Sequence, residues 1–533
     1  MKKIELFQEI YGEKYVAQFK DFLGRYPSEK SNYKLDQTDS FLISYADSII
    51  SNKKAFNSLF ELLDEYLENT IKNVHILPMY PFTSDDGFSV VDYEKIREDL
   101  GNWEDLEGYA KRYGLMYDFV INHISASSTW FKDYLKGKNN YFIEYDENFD
   151  TSQVVRPRAS PLFSEIEGKK VWTTFSEDQI DLNFKEYKVF EEATRILISY
   201  CQKGARFIRL DAIGFMWKES ATSCIHLENT HKIIKLWRLI LDDLFSDKFL
   251  ITETNVPHEE NISYFGNSDE AHMVYNFALP PLVADAILTG KSNYITQWIS
   301  QLEEKENCSY FNFLSSHDGI GLRPVENILA KENIQNIVNN TTKKLGKINY
   351  KSNVDGSQSP YECNINYYSL LKENDEFDYK RLLSAVFILN SLKGCPAIYI
   401  HTLLGSENDI KGMEESGINR RINREQLQKD KLELELSQET ERKKILEGIK
   451  EQLKLRKENP AFSPYSSQKI ENYTDSVIVI NRKGGGQEVT CIVNISNQKI
   501  ELTQKISGYS LLDYKNLEIS ELEAYQYMWI ERK

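Results

Sequence analysis

Carboxylate, histidine and arginine side chains recur in this chain directly after short apolar segments. Each of them alone has an ordinary structural explanation, since an aspartate after a strand is more often a helix cap than a catalyst. Their repetition after four such segments favours catalysis. These side chains are Asp118, Asn122 and His123 after the first segment, Arg209 and Asp211 at the second, Glu253 after the third, and His317 and Asp318 after the fourth.

Two of these carboxylates, Asp211 and Glu253, fit the transfer of a glycosyl group with retention. In that reaction one carboxylate attacks the anomeric carbon, while a second protonates the leaving oxygen and then deprotonates the incoming acceptor. Arg209 lies two residues before Asp211 on the same face of a strand, so its charge should keep Asp211 ionised. Glu253 has to start protonated, and burial or a neighbouring carboxylate such as Asp318 should raise its pKa. We expect the two carboxyl groups to lie about 5–5.5 Å apart.

Eight short apolar segments, separated by longer stretches of helical periodicity, would position these side chains. This alternation predicts a parallel (β/α)8 barrel, in which polar residues at the carboxyl ends of the strands face the active site. The predicted strands are residues 41–45, 74–78, 115–121, 206–210, 249–252, 273–277, 310–314 and 396–400.

The fold class predicted from this pattern is α/β, a TIM barrel with inserted subdomains and a C-terminal β domain. Residues 1–40 are predicted as a helical extension, 41–460 as the catalytic barrel and 461–533 as the β domain, with strands at 476–481, 489–494 and 525–530. Residues from about 135 to 185 are too many for a simple crossover and predict an inserted subdomain. The polar stretch from about 320 to 375 predicts a loop region over the barrel mouth.

Composition narrows the class of protein. A net charge of −16 argues against a nucleic-acid partner, because a phosphate backbone requires a basic face. No apolar run is long enough to span a membrane, and Glu5, Gln8 and Glu9 interrupt any hydrophobic stretch after the first three residues. We therefore expect a cytoplasmic protein with no membrane partner. Its six scattered cysteines favour free, mostly buried thiols.

Over most of its length the sequence resembles glycoside hydrolase family 13, the α-amylase superfamily. The segments that carry this resemblance are Asp118-Phe-Val-Ile-Asn-His123, Gly204-Ala-Arg-Phe-Ile-Arg-Leu-Asp-Ala212, Gln179-Ile-Asp-Leu-Asn183, Glu253 after its strand, and Ser315-Ser-His-Asp318. The resemblance implies Asp211 as nucleophile, Glu253 as acid/base and Asp318 as transition-state stabiliser. It also implies that the glucosyl unit is bound by His123, Arg209 and His317.

Further motifs resemble the sucrose phosphorylase group of this family. They are His75-Ile-Leu-Pro78, Gly87-Phe88, Arg156-Pro-Arg158 and Arg420-Arg-Ile-Asn-Arg424. In that group an aspartate before Gly-Phe and the first arginine before Ile-Asn-Arg close the donor pocket around one glucose. The matching residues are Asp85 and Arg420. The resemblance thus implies transfer of a single glucosyl unit.

Two positions depart from sucrose phosphorylases. Their acceptor loop reads Tyr-Gln-Val-Asn, where this chain has Glu362 after Tyr361, and the histidine two residues after their acid/base is Asn255 here. Both changes concern the acceptor, so Asn255 and Glu362 are candidate substrate-binding residues. Segments 84–90, 156–161 and 252–258 instead resemble the glucosylglycerate phosphorylase branch.

The resemblance implies phosphorolysis of a small α-glucoside to α-glucose 1-phosphate, with glucosylglycerate ahead of sucrose as the substrate. Arg158 fits this reaction because a fixed guanidinium positions phosphate and excludes water as the nucleophile. The same arginine could alternately hold the glycerate carboxylate, since the leaving group and phosphate share the site. Phosphate would be the co-substrate, with no organic cofactor and no metal. The alternatives are phosphorolysis of sucrose or sucrose 6-phosphate, and a retaining α-glucosidase in which water completes the second step.

Overall fold

Eight parallel strands form a closed barrel in the computed structural model, which describes residues 2–158, 160–352 and 357–532. Each strand pairs with its sequence neighbour, and the last pairs with the first, in the order β1-β8-β7-β6-β5-β4-β3-β2. The predicted barrel is confirmed, and each of its eight strands overlaps a predicted one. The strands are β1 (Phe41–Ser44), β2 (Asn73–Ile76), β3 (Gly114–Phe119), β4 (Ala205–Leu210), β5 (Phe249–Thr252), β6 (Met273–Tyr275), β7 (Ser309–Phe313) and β8 (Cys395–Tyr399).

Aromatic side chains fill the barrel interior. The ring of Phe41 on β1 packs edge-on against Phe207 on β4 at 4.8 Å and against Phe311 on β7 at 5.0 Å. Tyr275 on β6 stacks on Phe311 at 4.5 Å. All four side chains are buried. Because this interior is a packed core, the polar side chains gather beyond it, at the carboxyl ends of the strands.

Amphipathic helices surround the barrel. The helix Tyr187–Gln202 shows the reason, since it buries Val189, Phe190, Ala193, Ile196 and Leu197 at helical spacing. The helices are Lys2–Tyr11, Val16–Gly24, Ala55–Tyr66, Trp103–Ala110, Thr129–Leu135, Tyr187–Gln202, Glu228–Leu244, His258–Ile262, Leu279–Thr289, Asn293–Ser300, Lys331–Lys343, Tyr367–Leu371, Asp378–Ser391, Ile400–Leu403, Ile410–Ser416, Lys429–Ser437 and Glu441–Glu458.

The first two helices form the predicted N-terminal extension. Phe7 of the first helix stacks on Phe19 of the second at 4.0 Å and meets Tyr187 edge-on at 5.5 Å. The extension is thereby packed against the helix Tyr187–Gln202, which precedes β4. Among the described residues, no helix has the length and apolar content needed to cross a membrane. The six cysteines are buried free thiols, as predicted.

Two excursions cover the mouth of the barrel. Between β3 and β4, the short antiparallel pairs His123–Ser125 with Gln179–Asp181 and Phe163–Ile166 with Lys169–Trp172 replace a simple crossover. After β7, the stretch predicted as a mouth loop contains much regular structure. Its polar residues build the helix Lys331–Lys343 and a three-stranded antiparallel sheet of Ile320–Gly321, Lys347–Ser352 and Gln358–Asn364. Asp355 and Gly356 of the predicted loop lie outside the described residues.

A six-stranded antiparallel sheet closes the chain and confirms the predicted C-terminal β domain. Its order is β9-β10-β11-β14-β12-β13. The sequence pattern predicts β10, β11 and β14 but not the other three strands, whose exposed faces carry many charged residues. The domain boundaries at residues 40 and 460 stay a prediction. The strands are β9 (Ser467–Thr474), β10 (Val477–Gly484), β11 (Gln487–Asn494), β12 (Ile500–Ser510), β13 (Lys515–Leu522) and β14 (Tyr527–Glu531).

Candidate active site

Asp211 and Glu253 lie side by side at the carboxyl ends of two neighbouring strands. Asp211 directly follows β4 and Glu253 directly follows β5, which pair in parallel with Leu210 opposite Thr252. The backbone N–H of Ala212 donates to Glu253 Oε2 at 2.9 Å. The guanidinium of Arg209 contacts both carboxylates, at 2.7 Å from Asp211 Oδ1 and 3.7 Å from Glu253 Oε1. The register of the barrel therefore places two carboxylates around one cation.

Asp118 supports this cation from behind. It forms an ion pair with Arg209, and its other oxygen is 2.7 Å from His75 Nε2. Burial opposes its ionisation, but the charges of Arg209 and His75 outweigh burial and lower the pKa of Asp118. Asp118 is completely enclosed and does not face the cavity described below. Its geometry is that of a group that fixes the Arg209 side chain.

Burial dominates the protonation of the catalytic candidates. It raises the pKa of Glu253 to about 7, and the negative charges of Asp211 and Asp318 add to this effect. Burial also raises the pKa of Asp211 to about 7, although Arg209 acts in the opposite direction. The expectation that Arg209 alone keeps Asp211 ionised is thus too simple. Near neutral pH the two groups titrate as a pair, in which one proton can reside on Glu253 while Asp211 is charged.

Asp318 is held in its ionised form. Arg420 Nη1 is 2.6 Å from Asp318 Oδ1, and Asn423 Nδ2 donates to the Asp318 carbonyl at 2.9 Å. Burial opposes ionisation, but Arg420, Arg424 and Arg209 together lower the pKa of Asp318. The carboxylate is therefore negatively charged beside the Asp211–Glu253 pair, which is the condition for stabilising a developing positive charge.

Glu362 occupies a different place from the other candidates. Its side chain is 1% exposed and accepts two hydrogen bonds from Arg420, from Nε at 2.9 Å and Nη2 at 2.7 Å. The backbone N–H of Gly319 also donates to Glu362, at 3.0 Å. Glu362 does not line the cavity. The structure thus places it behind Arg420, as the partner that orients the guanidinium.

Asp85 and His123 meet through the side chain of Gln179. Its Nε2 lies 3.3 Å from Asp85 Oδ2 and 3.1 Å from His123 Nε2. The ring of His317 stacks on Phe88 at 4.8 Å, and His123 Nε2 contacts the Phe88 carbonyl at 2.8 Å. Phe88 therefore supports both histidines, a role that the sequence motif around it does not reveal.

The loop that carries Asp85 has an unusual backbone. Asp85 and Asp86 both adopt positive φ, at 54° and 48°. Gly87 follows so close to Pro78 that a Cβ on it would lie 2.8 Å from the proline Cβ. Left-handed conformations of residues other than glycine are costly and persist where surrounding contacts enforce them.

Asp178 supplies those contacts. Its Oδ2 accepts hydrogen bonds from Thr83 Oγ1 at 2.6 Å, Ser84 Oγ at 2.5 Å and Ser89 Oγ at 2.7 Å. One carboxylate oxygen therefore holds both ends of the Asp85 loop. The sequence pattern does not identify Asp178 as a site residue. It is a single aspartate before the Gln179-Ile-Asp-Leu-Asn183 motif, and nothing in the sequence distinguishes it from other aspartates.

A cavity joins these groups, and its empty space, together with the open solvent at its mouth, amounts to about 790 Å³. Nearly all the predicted site residues line this cavity. Arg209 and Glu362 are absent from its lining and act through residues that belong to it. The lining also includes Tyr361 and Arg323, which the sequence did not predict. The predicted residues in the lining are Asp85, His123, Arg158, Asp211, Glu253, Asn255, His317, Asp318 and Arg420.

The region around Asn122, where amylases often bind calcium, holds a lysine. Lys218 Nζ is 2.8 Å from Asp181 Oδ2, and Asn122 Nδ2 donates to the same oxygen at 3.3 Å. The backbone N–H of Thr174 donates to the other oxygen at 2.8 Å. An ammonium group already balances this buried carboxylate, so the surroundings do not fit a calcium ion. No cluster of three or more acidic, histidine or cysteine side chains suited to a metal was found in the described part of the chain.

Comparison with known proteins finds an α-amylase family domain and several related phosphorylases. Residues 44–337 match the family model "Alpha amylase, catalytic domain". The chain is 40% identical to a glucosylglycerate phosphorylase of Spirochaeta thermophila, over 99% of this chain and 97% of the relative. It is 39% identical to the Escherichia coli glucosylglycerate phosphorylase, over 99% and 100%. A sucrose phosphorylase of Streptococcus mutans is 26% identical over 87% of this chain and 97% of the relative.

Among solved structures, the sucrose 6F-phosphate phosphorylase from Thermoanaerobacter thermosaccharolyticum superimposes with a TM-score of 0.78. The match covers 92% of this chain and 98% of that one, at 22% identity. At this identity the similarity establishes the fold alone.

Proposed function

This chain belongs to the α-amylase family, and we propose that it is a retaining glycoside phosphorylase that converts glucosylglycerate and phosphate to α-glucose 1-phosphate and glycerate. The observation that carries the proposal is that one cavity contains both the Asp211–Glu253 pair and the guanidinium of Arg158. The close similarity to glucosylglycerate phosphorylases over nearly the whole chain supports the same substrate.

The first step forms a covalent glucosyl-enzyme. An oxygen of Asp211 attacks the anomeric carbon and the bond from that carbon to the glycerate oxygen breaks. Glu253, whose raised pKa keeps a proton available near neutral pH, gives that proton to the leaving oxygen. The ionised Asp318 stabilises the positive charge that develops on the sugar.

The second step releases the product. A phosphate oxygen attacks the same carbon from the face that glycerate left, and the bond to Asp211 breaks. Glu253 takes the proton of the attacking group and returns to its starting state. Two inversions at one carbon give net retention, so the product is α-glucose 1-phosphate.

The glucose pocket follows from the contacts around Asp85 and Arg420. Asp85, His123 and His317 would bind the sugar hydroxyls from one side, and Arg420 with Asp318 would bind them from the other. Arg209 lies beneath, where it holds Asp211 in position. Because Arg420 is tied to Asp318 and to Glu362, this side of the pocket is closed. A closed pocket fits one glucosyl unit and disfavours a polysaccharide chain.

Arg158 is the proposed phosphate ligand. Its loop is fixed by the backbone hydrogen bond from Val155 N to Ser223 O, at 2.9 Å. A guanidinium on such a loop can donate two parallel hydrogen bonds to the oxygens of one phosphate, a bidentate contact that a single water molecule cannot make. The proposal requires phosphate as co-substrate and no organic cofactor. A cytoplasmic location is part of the same proposal.

Incubation with glucosylglycerate, with and without phosphate, tests this function. We expect α-glucose 1-phosphate only when phosphate is present, and little free glucose in either case. Free glucose at the same rate in both reactions would identify a hydrolase. Sucrose and sucrose 6-phosphate should be tested as donors in parallel, since faster phosphorolysis of either would reassign the leaving group.

A further inference from the structure

The acceptor side of the cavity contains a second cation besides Arg158. Three of the described arginines line the cavity, namely Arg158, Arg323 and Arg420. Arg420 is occupied by Asp318 at 2.6 Å and by two hydrogen bonds to Glu362. Its charge is therefore already balanced. The other two arginines are the ones available to an anionic ligand.

Among the described residues, the ion-pair partner of Arg323 is a weak one. Its Nη2 lies 3.9 Å from Glu260 Oε2, beyond hydrogen-bonding distance, and the Glu260 side chain is 44% exposed. The same Glu260 oxygen is 3.3 Å from His226 Nε2. An exposed, shared carboxylate at this distance contributes little and leaves the guanidinium free to bind a ligand.

The surrounding chain connects Arg323 to the catalytic acid/base. Glu253, Asn255 and Val256 form one continuous part of the cavity lining. The Asn255 amide packs flat against Gly321, where an added Cβ would lie 2.6 Å from Asn255 Oδ1. Gly321 precedes Arg323 by two residues. The part of the lining that contains Glu253 and Asn255 is therefore adjacent to the segment that carries Arg323.

Arg158 lines the same cavity as Arg323. Its loop is bonded to Ser223, and Ile225, two residues later, lines the cavity. Tyr361 also belongs to the lining, and the charges of both Arg158 and Arg323 act on its hydroxyl. The two arginines thus line one space and both act on Tyr361.

Glycerate has a geometry that suits this space. Its two hydroxyl groups lie on the first and second carbons beyond the carboxylate, so a hydroxyl that meets Glu253 places the carboxylate a few ångströms away. Asp85 and Asp318 of the lining, together with Asp211 before the glucosyl-enzyme forms and Glu253 after it, would repel that anion. A guanidinium is needed to offset this repulsion, and a bidentate pair with a carboxylate is the geometry it prefers.

We propose that Arg323 binds the carboxylate of the acidic acceptor and thereby selects glycerate over neutral polyols such as glycerol. The inference rests on the proposed phosphorylase function and deepens it. Arg158 binds phosphate, while Arg323 binds the carboxylate of the glycerate that leaves in the first step. In the reverse direction, an acceptor hydroxyl oxygen bonds to the anomeric carbon, the bond to Asp211 breaks and Glu253 takes the hydroxyl proton. Arg323 takes no part in this exchange and only positions the acceptor.

A partition experiment separates acceptor selection from the chemistry. With α-glucosyl fluoride as donor, the glucosyl-enzyme forms without any anionic leaving group larger than fluoride. It then divides between glycerate, glycerol and water in one reaction mixture. The ratio of each transfer product to free glucose measures acceptor binding and cancels any change in the rate at which the glucosyl-enzyme forms.

For Arg323→Gln we expect the glycerate-to-glucose ratio to fall about 10- to 100-fold, the loss of a hydrogen-bonded charge. The glycerol ratio should change by less than about threefold in the same mixture. Arg323→Lys keeps the charge but not the bidentate geometry and should recover part of the glycerate ratio. Arg25→Gln, at a side chain that is 65% exposed, is the control and should match the wild type.

An unchanged glycerate ratio in Arg323→Gln would overturn the proposal. A parallel fall for glycerate and glycerol would overturn it as well, because Arg323 would then only shape the cavity. Failure of the wild-type protein to transfer glucose to either phosphate or glycerate is a different result, which would reject the phosphorylase function itself.

Discussion

The carboxylate of Glu362 accepts two hydrogen bonds from Arg420 behind the wall of the cavity, from Nε at 2.9 Å and from Nη2 at 2.7 Å. The opposite side of the same guanidinium holds Asp318 at 2.6 Å. One arginine thus joins a completely buried glutamate to a catalytic candidate. The position of Asp318 depends on a residue that touches no substrate.

Glu362→Gln is expected to impair the use of every donor equally. The amide presents one oxygen and one NH2 group to a guanidinium that can only donate, so one hydrogen bond and the charge pairing are lost. We expect kcat/KM for the glucoside to fall about 10- to 100-fold, while the ratio of glycerate to glycerol as acceptors stays constant. Steady-state kinetics with both acceptors measure this.

Glu326→Gln is the matched control, since this glutamate is 36% exposed and pairs with Lys351 on the same excursion. Its kinetics should be those of the wild type. A Glu362→Gln enzyme whose acceptor preference changes, with donor kinetics intact, would instead make Glu362 an acceptor-binding residue.

Burial of Glu253 should make the active site a source of instability at alkaline pH. Its folded-state pKa of about 7 lies above the ordinary 4.5, so between these values the folded protein binds more protons than the unfolded chain. Stability from this group therefore falls as pH rises through that window, by about 3 kcal/mol. Glu253→Gln removes the cost, and we expect its melting temperature to exceed that of the wild type at pH 8 but not at pH 5.

Thermal denaturation at both pH values measures this difference. Glu259→Gln, an exposed neighbour on the helix His258–Ile262, should shift the melting temperature equally at the two pH values. A Glu253→Gln protein that is less stable than the wild type at pH 8 would show that ionised Glu253 is well solvated or well paired.

The barrel was predictable because its strands are buried on both faces and read as continuous apolar runs. All four residues of β1 and of β5 are buried. Strands β12 and β13 escaped prediction because Glu501, Lys505 and Glu518 interrupt any alternation on their exposed faces. The nucleophile and acid/base candidates were found because their position depends on strand ends, which the sequence marks.

The supporting residues were not predictable in the same way. Asp178 acts on Thr83, Ser84 and Ser89, which lie 89 to 95 residues away in sequence. Arg323 is identified as a candidate acceptor-binding residue only from the contact of Gly321 with Asn255, which the sequence does not reveal. Glu362 belongs to the predicted acceptor loop, yet its side chain contacts Arg420. Such contacts depend on how the excursions fold over the mouth, and a local pattern does not encode that.

Asp178→Ala should loosen the loop that carries Asp85. Three hydroxyl groups lose their shared acceptor, and the left-handed backbone at Asp85 and Asp86 loses the contacts that enforce it. We expect KM for the glucoside to rise on the order of tenfold, with a smaller change in kcat. Hydrogen exchange of the amides of residues 83–89 should become faster.

The exposed neighbour Glu177 provides the control, because Glu177→Ala changes the same stretch of chain without touching the three hydroxyl groups. Equal exchange rates in the two variants would mean that other contacts hold the loop, such as the ion pair of Asp86 with Arg424 at 2.5 Å.

Arg158→Gln should convert the enzyme from phosphorolysis towards hydrolysis. The glucosyl-enzyme can still form, since Asp211, Glu253 and Asp318 do not depend on Arg158 for their hydrogen bonds. Phosphate, however, loses the guanidinium that holds it against the neighbouring carboxylates of Asp85, Glu253 and Asp318. We expect kcat/KM for phosphate to fall about 10- to 100-fold and the share of free glucose among the products to rise accordingly.

Arg156 offers a control two residues away on the same loop, and it is exposed. Arg156→Gln should keep the wild-type product ratio, while Arg158→Lys, which retains a charge without the planar fork, should fall between. The product ratio at several phosphate concentrations decides the matter. If Arg156→Gln loses phosphate dependence and Arg158→Gln keeps it, the two arginines exchange roles, and the phosphate site moves to the outer edge of the cavity.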